Sequence, residues 1–407
     1  MNSRIERSRV REVMGRVIEI RRKVHAHPEL GYEEHETSKL VSEVLEPLGL
    51  EVRTGVAGTG VVGVLHGRDT GHTVALRADM DALPITEDTG LAFSSTVPGK
   101  MHACGHDGHV AMLLGTAMVL SGLRDLIHGS VKFIFQPSEE RTGGALPMIE
   151  RGVLEDPDVD AIFAAHLWPD VPFGCVGVHE GPAMAALDEI HIEIYGKGGH
   201  VATPHRSIDA VLGAASFILE LQSIVSREID PTEPAVVSIG QVCGGTAYNA
   251  IADKVMLGGT VRVVNPDLRQ VMEKKISDRL RGLQESYGIQ HSFEYRFGYP
   301  PVVNDHEMAR FVREVAGELL GRDKAFQIAR PVMAGEDFAY YLERVPGAIF
   351  LLGIGDSSVG NHPLHHPKFM FNEDVLEVGV WVLSQIAVSY LERFKSPRRD
   401  HDRIARP

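Results

Sequence analysis

The stretch VKFIFQPSEERTGGALPMIER, residues 131–151, reads as a short apolar strand, a polar turn and a helical pattern. VKFIF is strand-length and bounded by Gln136-Pro137, whereas 142–151 carries apolar residues at helical spacing. The same alternation surrounds it. Apolar runs at 60–66 (GVVGVLH), 73–78 (TVALRA) and 160–165 (DAIFAA) are joined by a helical pattern near 108–121, and two helical stripes lie at 4–25 and 37–45. Strands alternating with helices predict an α/β fold, a mainly parallel sheet with crossover helices on both faces. Open sheets of this kind keep their ligand sites at the carboxyl ends of strands. The pairs Asp79 and Asp81, Glu139 and Glu140, and the single His166 all fall at such ends.

From about residue 187 the texture changes. A strand alternating Ile190, Ile192 and Ile194 leads to a helix at 207–228, strands at 235–243 and 254–264, a helix at 267–287 opened by Asn265-Pro266-Asp267, and a strand at 289–297. This βαββαβ order is ferredoxin-like. It predicts an inserted domain at 186–298 within a discontinuous outer domain made of 1–185 and 299–407. The outer domain resumes with helical patterns at 306–321 and 336–344, a strand at 347–353, a loop holding His362, His365 and His366, and a helix at 372–394. The polar tail SPRRDHDRIARP has no periodicity and reads as a mobile end.

At 407 residues the chain is long enough for two or three domains of ~150 residues. Its formal net charge of −14 argues against nucleic-acid and anionic-membrane binding, since both need a basic surface. An anionic substrate would then have to be met by a local arginine. The charged N-terminus lacks a continuous apolar segment, so neither a signal peptide nor a membrane anchor is expected. Three cysteines without framework spacing fit a reducing compartment, and a cytoplasmic protein is expected.

The densest chemistry lies in MHACGHDGHV, 101–110, which carries His102, Cys104, His106, Asp107 and His109. Cys104 and His106, one residue apart, can turn to one side of an extended loop, and a structural zinc site would need a second Cys/His pair that is absent. Glu139 and Glu140 could be a solvated helix N-terminus. Following a buried-looking strand, they read better as one metal ligand and one free carboxylate, and spacing alone does not say which is which. His166 and His365 are further candidate ligands. Asp79 and Asp81 are either turn residues or carboxylates orienting the ligand histidines, and His27 caps or orients a loop. In the inserted domain His200 follows the glycine-rich GKGG, Asn249 lies in GGTAYNAIAD, and Arg262 ends GGTVR, where it either clamps a carboxylate or forms a cross-strand salt bridge.

Together these motifs resemble the metal-dependent amidohydrolases of the aminoacylase and carboxypeptidase superfamily, in particular the hippurate hydrolases, N-acyl-amino-acid deacetylases and auxin-conjugate hydrolases. The similarity runs from about His25 to Asp374, through HPELGYEE, LRADMDALPI, MHACGHDGHVAML, FIFQPSEE, GKGGHVATPH, AGEDFAYYL and LHHPKFMFNED. The resemblance implies two divalent ions (zinc, manganese, cobalt or nickel) held by Cys104 in the bridging place with His106, Glu140, His166 and His365. It implies Glu139 as general acid/base, His200 reaching a neighbouring subunit's site, and Asn249 and Arg262 as substrate contacts. A homodimer through the inserted lid domain, or a higher oligomer, is implied too. Two departures stand out: Asp79-Met80-Asp81 replaces the superfamily's usual His-x-Asp, with His106 taking the missing histidine's place, and alanines occupy 250 and 252 where relatives often have valine and proline.

The expected activity is hydrolysis of the amide bond of a small N-acyl amino acid. The alternatives are a dipeptidase or carboxypeptidase-like hydrolase on the same centre and an inactive, metal-retaining binding protein. Zinc nucleobase deamination would require a Pro-Cys-x-x-Cys pair that the chain lacks.

Overall fold

The computed structural model describes residues 4–355, 359 and 362–394. Two compact units emerge. One comprises the chain through Gly181, Asn304–Ala329 and the chain from Tyr340; the other is Pro182–Val303 with Arg330–Ala339. The sequence reading left 330–339 with the outer domain. That segment groups with the second unit because its backbone is bonded there: the Ala185 amide donates to the carbonyls of Val332 and Ala334, and Arg262 donates to that of Met333.

The first unit is built on an eight-stranded sheet in the order Glu51–Val56, Gly60–His66, Ser130–Gln136, Thr73–Asp79, Ala161–Pro172, Gly347–Gly355, Val176–Val178, Ala325–Gln327. The four central strands, from Ser130–Gln136 to Gly347–Gly355, run parallel. Thr73–Asp79 is buried at every position, which explains why its sequence, TVALRAD, does not alternate apolar with polar residues; its polar members Thr73, Arg77 and Asp79 are buried as well. Antiparallel strands close both flanks. Glu51–Val56 escapes the sequence reading because it is an edge strand, mostly exposed and polar.

The helix His106–Ser121 is buried nearly all round and packs against Arg7–Ala26 and Val375–Arg393. Close approach depends on glycine: Gly115 faces Val17 and Val380, and Gly379 faces Met112, with no room for a Cβ at either. Val375–Arg393 is apolar and long enough to cross a membrane, yet 83% of its apolar window is buried in this core. The polar tail from residue 396 lies outside the described residues.

The second unit carries an antiparallel sheet in the order Ala235–Gly244, Lys254–Val263, Asp188–Tyr195, Gln290–Arg296. With helices Ala210–Ser223 and Asp267–Tyr287 it realises the expected βαββαβ succession. Ile190, Ile192 and Ile194 enter its core with Phe217, Met272 and Leu280. Asp209 caps the first helix by accepting from the amides of Val211 and Leu212. Apolar side chains remain outside that core: Leu212 is 56% and Leu219 74% exposed, and Val236 and Val242 are exposed on the edge strand.

Candidate metal centre

Two strand ends, the interior of a third strand and two loops of the first unit bring the polar residues together. Gly105 takes a left-handed conformation (φ 86°) at the N-cap of His106–Ser121, so the chain turns sharply between Cys104 and His106. The helix starts two residues earlier than the sequence suggests. His106 and His109 therefore stand one turn apart on one helix face rather than along an extended loop. His166 is not the end of its strand, which continues to Pro172. Pairing with Thr73–Asp79 stops at Arg77↔Ala164, however, so His166 lies beyond that ladder. His365 adopts a left-handed φ of 64° and its amide donates to the Ala103 carbonyl, which ties its loop to the cysteine segment.

Donor atoms of Cys104, His106 and His166 lie within 4.8 Å of one another, as do those of Cys104, Glu140 and His365, and those of His106, Glu139 and Glu140. Cys104 Sγ is 3.6 Å from His166 Nε2, and His365 Nε2 is 3.0 Å from Glu140 Oε1. The histidines are held from behind. His106 donates from Nδ1 to the Asp81 carbonyl (2.9 Å), and His166 from Nδ1 to the Leu167 carbonyl (2.8 Å), so each presents an Nε2 lone pair inward. His106 Nε2 is buried without a hydrogen-bond partner among the described residues.

Glu139 and Glu140 sit in a turn, not in an extended segment, and Glu139 is buried rather than solvated at a helix start. Ser138, with φ 55°, makes that turn, so the two carboxylates share one ligand group instead of pointing apart. Asp81 fixes the pair, one oxygen accepting from the Glu139 amide (3.0 Å) and the other from the Glu140 amide (2.9 Å). Asp79 is bound by His109 Nδ1 (2.6 Å) and Arg77 Nη1 (2.7 Å), while His109 Nε2 accepts from the Leu167 amide. Both aspartates thus buttress the histidines, and His109 is a supporting residue. His102 is buried with neither ring nitrogen partnered among the described residues, and His27 donates from Nδ1 to the Lys23 carbonyl at its own helix end.

The electrostatics favour a cation. Burial pushes the Cys104 thiol well up, and the carboxylates of Glu140, Glu139 and Asp79 push it further. Burial would lower His106, yet Asp79, Asp81 and Glu140 outweigh it and raise its pKa to about 10. Burial, reinforced by His109, holds His166 neutral. A buried thiol and an imidazole, both crowded by carboxylates, are donors that a divalent ion deprotonates. An orphaned inward-facing imidazole nitrogen in a mixed S, N and O set completes the fit.

In the second unit His200 lies on the short strand Gly199–His200, opposite Ala250, and is exposed. Asn249 is its neighbour through the Val201 amide, which donates to the Asn249 carbonyl. Arg262 is half-buried and meets the Met333 carbonyl; among the described residues it forms no cross-strand salt bridge. Sequence reading assigned no role to Arg77 or Glu34. A cation inside the apolar run TVALRA was the available signal for the first, because a buried arginine needs a carboxylate.

A profile of Peptidase family M20/M25/M40 matches residues 75–389. The chain belongs to this family. Over 383 residues it is 43% identical to the IAA-amino acid hydrolase ILR1-like 2 of Arabidopsis thaliana, covering 94% of this chain and 86% of that protein. It is 42% identical over 381 residues to the N-acetylcysteine deacetylase of Bacillus subtilis strain 168, with coverage of 93% and 98%. Among solved structures the Bacillus subtilis YXEP protein, a dinuclear metal binding peptidase from the M20 family, superposes with a TM-score of 0.82 at 38% identity, covering 94% of this chain and 99% of that one. This M20 chain is accordingly a metal-dependent amidohydrolase whose candidate ligand groups support two divalent ions.

Proposed function

We propose that the enzyme hydrolyses the amide bond of N-acyl amino acids, with Cys104, His106, Glu140, His166 and His365 as ligands and Glu139 as the proton carrier. The observation that carries this reading is the membership of Cys104 in two ligand groups, Cys104–His106–His166 and Cys104–Glu140–His365, so that its thiolate would be available to hold an ion with either set. Divalent ions held there supply Lewis acidity, polarising a carbonyl and acidifying water. Glu139 removes the proton from the attacking water and returns it to the leaving amine. Its backbone is fixed by Asp81, so the carboxylate is preorganised.

His200 is the proposed donor to the tetrahedral oxyanion, supplied by a second copy of the chain. Arg262, whose guanidinium is half-buried and donates to the Met333 carbonyl, is proposed to pair with the substrate carboxylate, with Asn249 beside it. The exposed Leu212 and Leu219 and the open edge of Ala235–Gly244 support a homodimer through the inserted unit. The free state of Cys104, Cys175 and Cys243 supports a cytoplasmic location.

A panel of N-acetyl, N-benzoyl and indole-acyl amino acids against free dipeptides, run on metal-stripped protein reconstituted with zinc, manganese, cobalt or nickel, tests this reading. Metal-dependent turnover confined to acyl amino acids is expected. Preference for free peptides would favour the carboxypeptidase-like alternative, to which the 41% identity with the thermostable carboxypeptidase 1 of Saccharolobus solfataricus lends weight. No turnover with any ion would favour a binding protein.

A further inference from the structure

The motif HPELGYEE, residues 27–34, has no part in the chemistry above, yet it is bonded to the turn that presents Glu139. The Ser138 amide donates to Glu34 Oε1 at 2.9 Å, and Thr59 Oγ1 holds the other oxygen at 2.6 Å. Two residues earlier, the Tyr32 hydroxyl donates to the Gly143 carbonyl at 2.9 Å, on the far side of the same turn. Gly31 lies so close that a Cβ there would fall 2.5 Å from Ser138 Oγ. With the two bonds from Asp81, the consecutive amides of 138, 139 and 140 all end on carboxylate oxygens of two buried side chains.

Ser138 and Tyr32 both occupy the left-handed region, at φ 55° and 64°. Neither is glycine, so each needs its surroundings to hold it there. For Ser138 those surroundings are Glu34 and Gly31. We propose that Glu34 is a positioning residue for Glu139, acting through the Ser138 amide to keep the turn in its left-handed form; the proposal rests on the reading of Glu139 as proton carrier. What Glu34 contributes is an acceptor oxygen, not a charge. Burial pushes its carboxyl up to about 7 despite the Thr59 hydrogen bond, so the neutral acid is within reach at physiological pH. The neutral acid would still accept from Ser138 while donating to Thr59 instead. A glutamine can do both.

The test compares full-length, metal-loaded Glu34→Ala and Glu34→Gln with the parent by amide hydrogen exchange over 137–144, metal content, kcat and KM. Glu34→Ala is expected to speed exchange at 138–140 at least tenfold and to lower kcat about thirtyfold, with KM within twofold and both ions retained, as for a small misplacement of a reacting group. Glu34→Gln should restore both readouts to within threefold. Should the alanine variant not fold, Glu34→Asp, which withdraws the acceptor by one methylene, takes its place. Unchanged exchange would overturn the anchoring, and faster exchange with unchanged kcat would overturn the positioning role. A glutamine variant as impaired as alanine would show that charge, not the acceptor, is required, and would also overturn the proposal. A parent inert on every acyl amino acid would sink the functional reading and the positioning role with it, while the exchange data still decide the anchoring.

Discussion

Replacing Asp81 with asparagine probes the hinge of the site with a single atom change. Asp81 is buried, and its two oxygens accept from the Glu139 and Glu140 amides at 3.0 and 2.9 Å. Asparagine keeps one acceptor and turns an NH2 toward the other amide, so a buried donor faces a donor. Losing one charge-assisted hydrogen bond in this way costs about 1.5–3 kcal/mol. At ~2–4 °C per kcal/mol for a domain of this general size, Tm should fall by roughly 3–12 °C. Displaced support behind a ligand typically weakens metal binding about 10–100-fold, and a 1 Å shift of Glu139 costs about a hundredfold in rate. Melting at fixed free metal, chelator competition and kcat measure the three effects. An Asp81→Asn enzyme with Tm within 1 °C of the parent and unaltered metal affinity would refute the claim that this carboxylate carries the turn.

Glu139→Gln should retain two ions per chain by elemental analysis while kcat falls at least about a hundredfold, because the amide cannot take a proton. If the proposed homodimer forms, Leu212→Asp combined with Leu219→Asp should convert it to a monomer by light scattering without unfolding the second unit, since neither side chain belongs to its core; a parent that is already monomeric would refute the dimer. Burial pushes the Glu87 carboxyl up, but hydrogen bonds from His25, Thr89 and the Ser95 amide outweigh this and hold it at about 2, below the 4.5 of the free side chain. A depressed carboxylate contributes stability that is complete above pH 4.5 and lost as pH falls toward 2. Melting temperatures of Glu87→Gln should therefore decline less steeply than the parent's across that window.

The parallel core was legible because its strands carry apolar residues on both faces, as in Val74, Ala75 and Leu76, and the chain between them includes the apolar helix His106–Ser121. The edge strand Glu51–Val56 was not, since an exposed strand pairs through backbone and leaves little trace in side-chain pattern. At the site, the ligand types could be read but their directions could not. Cys104 and His106 converge through the left-handed Gly105, and Glu139 and Glu140 through the left-handed Ser138. The first such turn has a glycine to announce it. The second relies on Glu34, more than a hundred residues earlier in the chain, which no local pattern could indicate.

The proposed ligands arrive from four separate segments, and His365 follows the whole second unit in sequence. A growing chain therefore cannot assemble the full set until that unit has been made, and the isolated cysteine segment can bind an ion only weakly. Ion binding and cohesion of the sheet are then a single linked equilibrium, in which each tenfold excess of free ion over its dissociation constant adds about 1.4 kcal/mol to the fold. Metal supply would set the lifetime of the protein as well as its activity.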